Sequence, residues 1–377
     1  MTSTHGESLH AALLTLDTHL DTPVHFARAG WSFGDRHSYA NDLAQLDIPR
    51  MADGNLDGGF FVIFTAQGPL TARDYASARD FAVHRSSEID TMIARFAGRI
   101  GLARTADEAR QLNAAGKLIA FKSIENSYPL GEDLSLLGEF HRLGVRLAGP
   151  VHSSNNQFAD SATDTPRWNG LSPLGVRWVA EMNRLGMVID ASHASDAAFD
   201  QMLGLSKTPL LLSHSGARAV FDHPRNIDDT RIRKLAAAGG AICFTSIYLS
   251  DLNMTPERAA LFGKHDQIGQ MSPPEQADLT IKTRALDARQ PMWSANFAGY
   301  MAGLLHVIEV AGVDHVCFGA DWDGGGGLAG LDDITAHPKI TAALKAAGYS
   351  DADLAKMWSG NVLRILSAAE NHASARH

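Results

Sequence analysis

Along the chain, short apolar runs alternate with polar turns and with stretches of helical periodicity. The runs are Leu13–Asp17 ("LLTLD"), Gly59–Thr65 ("GFFVIFT"), Leu118–Glu125 ("LIAFKSIE") and Val145–His152 ("VRLAGPVH"). Four more follow at Met187–His193 ("MVIDASH"), Pro209–Ser215 ("PLLLSHS"), Ala241–Tyr248 ("AICFTSIY") and His315–Asp323 ("HVCFGADWD"). Their near-continuous apolar character fits strands covered on both faces. Helix candidates separate them. "DLSLLGEFHRLG" sets Leu134, Leu137 and His141 along one face and stops at Gly144. "SPLGVRWVAEMNRLG" offers Ser172 as N-cap, Pro173 at the first helical position and Gly186 past the end. Eight strand–helix alternations predict an α/β fold, a parallel sheet closed into a TIM-type (β/α)8 barrel. A doubly wound open sheet is the alternative, because periodicity does not report closure.

Length bears on this choice. A chain of 377 residues has two domains as its first expectation, but a barrel with insertions runs past about 300 residues as one unit. The reading adopted is one catalytic domain over 1–377, with an insertion at about 251–291 after the seventh strand. That segment is long, polar and rich in Met, Pro and Gln. A lid over the site and a subunit contact in a homodimer are both open to it.

Charge and composition narrow the partners. The net charge of −9 disfavours nucleic acid and an anionic membrane surface, both of which require a basic face. Apolar residues make up 45% and charged residues 20% of the chain, as in soluble enzymes. Cys243 and Cys317 each lie inside an apolar run and read as buried reduced thiols. No secretory pattern opens the sequence, and no window approaches 18 uninterrupted apolar residues. A cytoplasmic location is the expectation.

The polar residues carry the chemistry. Six of the eight runs bear His, Asp or Glu at their C-terminal ends: Asp17/His19/Asp21, Glu125, His152, His193, His214 and Asp321. In a parallel barrel those ends meet at one rim, where the active site is built. Any one alone reads as a satisfied core residue; the shared polarity of the set argues otherwise. His19 and Asp21 stand at i and i+2, so in an extended chain both point to the same face, about 6–7 Å apart along it. Asp17 shares their parity and is expected to orient the His19 imidazole. His193 and His214 end consecutive strands, about 5 Å apart. Glu125 is the carboxylate left to join the two pairs. The set has the composition of a two-metal hydrolytic centre, and mixed nitrogen and oxygen ligands without thiolate favour Zn²⁺, with Mn²⁺ or Co²⁺ able to substitute.

The sequence resembles the membrane (renal-type) dipeptidases, peptidase family M19, within the amidohydrolase-like barrels. The likeness runs from about Leu13 to Leu366, in order, through "DTHLD", "LDIPRMADGNLDGGFF", "LGVRLAGPVHSSNNQFADS", "GLSPLGVRWVAEMNRLGMVIDASH", "LLSHSGARAVFDHPRNIDD" and "HVCFGADWDGG" with a later "GNVLRIL". It implies a metallo-dependent hydrolase: a zinc dipeptidase cleaving dipeptides through a binuclear, metal-activated hydroxide. His19 and Asp21 would hold one zinc, His193 and His214 the other, and Glu125 would bridge them, giving two Zn²⁺ per chain. His152 would contact the substrate and stabilise the tetrahedral intermediate. Arg225 would grip the C-terminal carboxylate, a task suited to a planar bidentate donor. Asp321 would move the proton from the attacking water to the leaving amine.

Two stretches depart from the family pattern. "ENSY" (Glu125–Tyr128) replaces E-G-G-H, and "FFVIFT" replaces a strand end with aromatic and hydroxyl side chains. Both are expected to border the pocket for the N-terminal residue. Lys122, in the third run, is weighed as a carbamylated ligand and set behind Glu125. His25, His37, His223, His265 and His337 read as structural or solvated, and Gly360 and Asn361 as shaping the last helix. Rival functions are hydrolysis of N-acyl amino acids, lactones or β-lactams, and a non-enzymatic metal-binding scaffold.

Overall fold

The apolar runs emerge as short parallel strands in the computed structural model, which describes residues 9–375. The opening of the stretch read for a secretory signal lies outside the described residues. The strands are β1 (Leu16–Leu20), β2 (Gly58–Phe64), β3 (Ile100–Leu102), β4 (Leu118–Glu125) and β5 (Val145–Ala148), followed by β6 (Val188–Ile189), β7 (Leu211–Ser215), β8 (Ala241–Phe244) and β9 (Val316–Phe318). One sheet runs β1-β2-β4-β5-β6 and a second β7-β8-β9, all pairs parallel. Parallel bridges Asp190↔Leu211 and Leu20↔Trp322 join the sheets at both seams. Eight strands thus close a ring, the TIM-type (β/α)8 barrel.

β3 is an addition to the eight expected strands. It pairs with the first half of β4 (Ile100↔Leu118 to Leu102↔Ala120), while β5 takes the second half of the same edge from Lys122 onward. Three residues make too short an apolar run to stand out from the preceding helix. The apolar runs also outlast their strands. Only Val188–Ile189 of the fifth run and Val316–Phe318 of the eighth are strand; the rest curls out carrying the polar groups.

Inside the ring, Leu16, Phe60, Phe121, Leu147, Val188, Leu211, Cys243 and Cys317 form one buried cluster with Val362, Ile365 and Leu366 of the last helix, Asn361–Ser374. Phe60 and Phe121 stack at 4.7 Å between centroids. Asn361 fixes that helix by donating to the Val313 and Val316 carbonyls, each at 2.8 Å. The expectation of reduced thiols is corrected. Cys243 and Cys317 are register partners on β8 and β9 and form a disulfide. Sequence separation concealed their adjacency, and disulfides belong chiefly to oxidising compartments, so the cysteines no longer argue for a cytoplasmic location. Among the described residues no helix is long and apolar enough to cross a membrane.

Lys122 is no rival to Glu125, in keeping with its place behind it. Phe121 and Glu125 share one face of β4, which leaves Lys122 on the other, facing away from the site. It is fully buried against the helix Ala72–Arg95, where it donates to Ser86 Oγ at 2.9 Å and the Leu143 carbonyl at 3.0 Å and pairs with Asp90 at 2.7 Å. The 251–291 segment folds into two helices, Pro256–His265 and Pro273–Arg289, clamped by the pair Arg258–Asp287 at 2.7 Å. Leu252, Met254, Phe262 and Asp266 bring it to the wall of the central cavity.

Candidate metal centre

The rim at the strand C-termini gathers the predicted polar residues into one buried cluster. On β1, Asp17 does not touch the His19 ring. Its carboxylate accepts the backbone N–H of His19 at 2.8 Å and of Ala320 at 3.1 Å, tying first strand to last. That corrects the expected orienting role: Asp17 holds the backbone from which His19 projects. His19 Nε2 then lies 3.2 Å from Asp21 Oδ2 and 3.6 Å from Glu125 Oε2. Glu125 Oε1, the other carboxylate oxygen, lies 2.8 Å from His193 Nε2 and 3.3 Å from His214 Nε2. One carboxylate therefore faces both pairs, one oxygen to each.

His193 and Asp321 leave their strands in the left-handed region, with φ of 68° and 67°. Such backbone is costly for residues with a Cβ and persists where the surroundings enforce it. Asp321 Oδ1 stands 3.7 Å from His19 Nε2. A Cβ at Gly324 would collide with the Asp21 and Asp321 carboxylates, so glycine lets the loop close over them. Asp323 fastens that loop from the other side, accepting Thr22 Oγ1 at 2.6 Å and the Gln45 N–H at 2.7 Å.

Sequence reasoning missed Asp190 and Ser213. The Ser213 hydroxyl donates to Asp190 Oδ2 at 2.5 Å and lies 2.8 Å from His214 Nδ1. Its one proton is committed to the carboxylate, so it accepts from Nδ1–H of His214 and leaves the Nε2 lone pair aimed into the cluster. Asp190 Oδ1 is held by the Ser192 and Ser213 N–H groups at 2.9 and 3.0 Å. The available signal was a hydroxyl directly preceding a histidine at a strand end.

Electrostatics mark this as a place for cations. Burial lowers the His193 and His214 imidazoles well below the ordinary value, helped by Arg225 on both, by His152 on His193 and by His19 on His214, so both rings stay neutral, each with one nitrogen free of a proton. Burial opposes the charge of Glu125, yet His19 and His152 hold its carboxyl well below the usual range. Burial, with Asp21 and Glu125 adding to it, drives Asp321 well above that range. His19 Nε2 is buried without a hydrogen-bond partner, a costly state for a polar atom. Three donor sets lie with their ligand atoms within 4.8 Å of one another: His19/Asp21/Glu125, Glu125/His193/His214 and His19/His214/Asp321. Imidazole and carboxylate donors without thiolate suit zinc; the residues fit it.

His152 flanks the cluster, its Nε2 3.7 Å from Glu125 Oε1 and its ring 4.2 Å from that of His193. Arg225 sits behind the histidines, 5% exposed, donating to Ser215 Oγ at 3.1 Å and the His214 carbonyl at 2.9 Å. Its Nε is buried without a partner. It borders a small side cavity with His193 rather than the main one. The main cavity, about 520 Å³, is floored by Asp21, Glu125, His193, His214 and Asp321 and walled by Phe64, Tyr248 and Trp293. Of the two departing stretches, the end of β2 borders it through Val62 and Phe64, whereas "ENSY" reaches it through Glu125 alone. "ENSY" is corrected to a structural role: Asn126 donates to the Thr65 carbonyl at 3.1 Å and Ser127 Oγ to the Gly149 carbonyl at 2.8 Å.

With this geometry in hand, three comparisons bear on identity. The profile described as membrane dipeptidase (peptidase family M19) matches residues 4–377. Dipeptidase tcpJ of Claviceps purpurea (strain 20.1) is 30% identical over 391 aligned positions, covering 99% of this chain and 82% of that protein. The probable dipeptidase PvdM from Pseudomonas aeruginosa superposes with a TM-score of 0.84 at 29% identity, over 99% of both chains. A metallo peptidase from Rhodobacter sphaeroides, liganded with a phosphinate mimic of the dipeptide L-Ala-D-Ala, gives 0.74 at 26% identity, over 95% of this chain and 99% of its own. The chain belongs to the membrane dipeptidase family, peptidase family M19, and is a metallopeptidase.

Proposed function

We propose that this chain is a binuclear zinc dipeptidase, the whole of it one catalytic unit with residues 251–291 as its roof. His19 and Asp21 would hold one ion, His193 and His214 the second, with Glu125 shared between them. The supporting observation is the division of the Glu125 carboxylate, Oε2 toward His19 and Oε1 toward His193 and His214. When bound, the two cations supply Lewis acidity, polarising the scissile carbonyl and acidifying water.

The chain's own residues supply the rest. Arg225, the cation behind His193 and His214, takes the substrate's terminal carboxylate and fixes the direction in which the dipeptide lies. His152, on the open side of Glu125, donates to the oxygen that gains charge as the carbonyl becomes tetrahedral. Asp321 takes a proton at its carboxylate from the attacking water and returns it to the departing nitrogen. The side chains walling the cavity exclude competing water.

The substrate class draws support from the Rhodobacter sphaeroides relative, which binds a dipeptide mimic. A panel of dipeptides and N-acyl amino acids, with zinc supplied and metal content measured, tests the reading. The expected result is two zinc ions per chain and hydrolysis of the dipeptides. Activity confined to N-acyl amino acids, or one ion per chain, overturns it.

A further inference from the structure

The cavity carries a cation that the chemistry above leaves unused. Arg85, on the helix Ala72–Arg95, lines it on the Asp21 side and is 13% exposed in its side chain. Nη1 meets the Pro23 carbonyl, two residues beyond Asp21, and Glu88 at 2.9 Å. Among the described residues no hydrogen bond engages its Nε or Nη2. Its guanidinium carbon lies 5.4 Å from the Phe81 ring, and Val24, Val62, Phe64 and Ala66 line the same cavity. Arg225 lies by the His193/His214 pair, bonded to the His214 carbonyl and bordering a cavity with His193.

We infer that Arg85 determines specificity, selecting dipeptides whose N-terminal residue bears a carboxylate side chain. The inference rests on the dipeptidase reading. With the terminal carboxylate at Arg225 and the scissile carbonyl over the centre, the N-terminal residue extends toward Asp21 and the wall around Arg85. Apolar side chains there accept the methylenes of a glutamyl or aspartyl residue, and the free edge of the guanidinium accepts its carboxylate in a bidentate fashion. Glu88 offsets part of the charge through Nη1 alone. Asp266, also on this cavity, complements the ammonium of the same residue. An acidic N-terminal residue brings one charge of each sign to this wall. A lysyl residue brings two positive charges, one of which meets Arg85.

The test measures kcat and KM of the zinc-loaded protein, R85Q and R85K on Glu-Ala, Gln-Ala, Leu-Ala and Lys-Ala. The expected native preference for Glu-Ala over Gln-Ala is about 10–100-fold in kcat/KM, the worth of a charge-assisted hydrogen bond, and it appears in KM. The preference falls to about one in R85Q and returns in part in R85K. Equal kcat/KM for native Glu-Ala and Gln-Ala, a preference for Lys-Ala, or a ratio that survives in R85Q each overturns the role of Arg85 while the dipeptidase reading stands. Hydrolysis of none of the four overturns both. The native panel decides by itself should R85Q not fold.

Discussion

Replacing Ser213 with alanine removes a single oxygen that serves two buried groups. In the native protein the hydroxyl donates to Asp190 Oδ2 at 2.5 Å and accepts from His214 Nδ1 at 2.8 Å. Asp190 keeps two backbone donors on Oδ1, but Oδ2 loses its proton donor, and His214 loses the acceptor that fixes its tautomer. The space left by one hydroxyl is too small for a water to replace it. Each orphaned group costs about 1–3 kcal/mol, so unfolding should become easier by about 2–6 kcal/mol in the metal-free protein. With its tautomer no longer enforced, His214 should present Nε2 as a lone pair for only part of the time. Zinc affinity should then fall by about 10–100-fold, the range for partners that orient metal ligands. Urea unfolding of the metal-free protein gives the first quantity, and competition with a chelator of known affinity the second. A change below about 0.5 kcal/mol, within the span of ordinary surface substitutions, together with native zinc affinity, would refute the argument that this hydroxyl governs His214.

Three further outcomes are expected. E125Q should lower zinc content as well as rate, measured by elemental analysis; full occupancy would remove Glu125 as the shared ligand. D321N should retain zinc and lose about 10²–10⁴-fold in kcat, the contribution of a general acid–base group; native kcat would mean the proton travels by another route. Burial lowers His10 to about 4 and His337 to about 3. Both stay neutral when folded but take protons from about pH 6.5 once unfolded, so the unfolded state binds more protons below that pH. Stability should therefore fall on acidification below about 6.5, with the His10 share levelling off at about pH 4 and amounting to about 3 kcal/mol. Urea unfolding across this range should give a flatter profile for H10Q, and an identical slope would exclude His10.

The legible part of the site was its polarity. Parallel strands closed into a ring put all their C-terminal ends at one rim, so His19, Glu125, His193, His214 and Asp321 could be assembled from strand order without coordinates. What escaped depended on contacts across the chain or on local backbone. Asp17 has the parity of His19, yet it binds backbone because the last strand brings the Ala320 N–H within reach. Cys243 and Cys317 are neighbours only through the register of β8 and β9. β3 hides because three residues carry no periodicity. The Asp190–Ser213–His214 chain was unreadable for a different reason: hydroxyl and carboxylate residues near strand ends are common, and only geometry separates a relay from a cap.

The seam between β1 and β9 has a consequence for the life of the molecule. Asp21 and Asp321 stand on either side of it, about 300 residues apart along the chain. The cluster at the rim therefore assembles only after the whole span between those two carboxylates has been made and the ring has closed. A product stalled before Asp321, however well folded over its first strands, would lack that carboxylate at the rim.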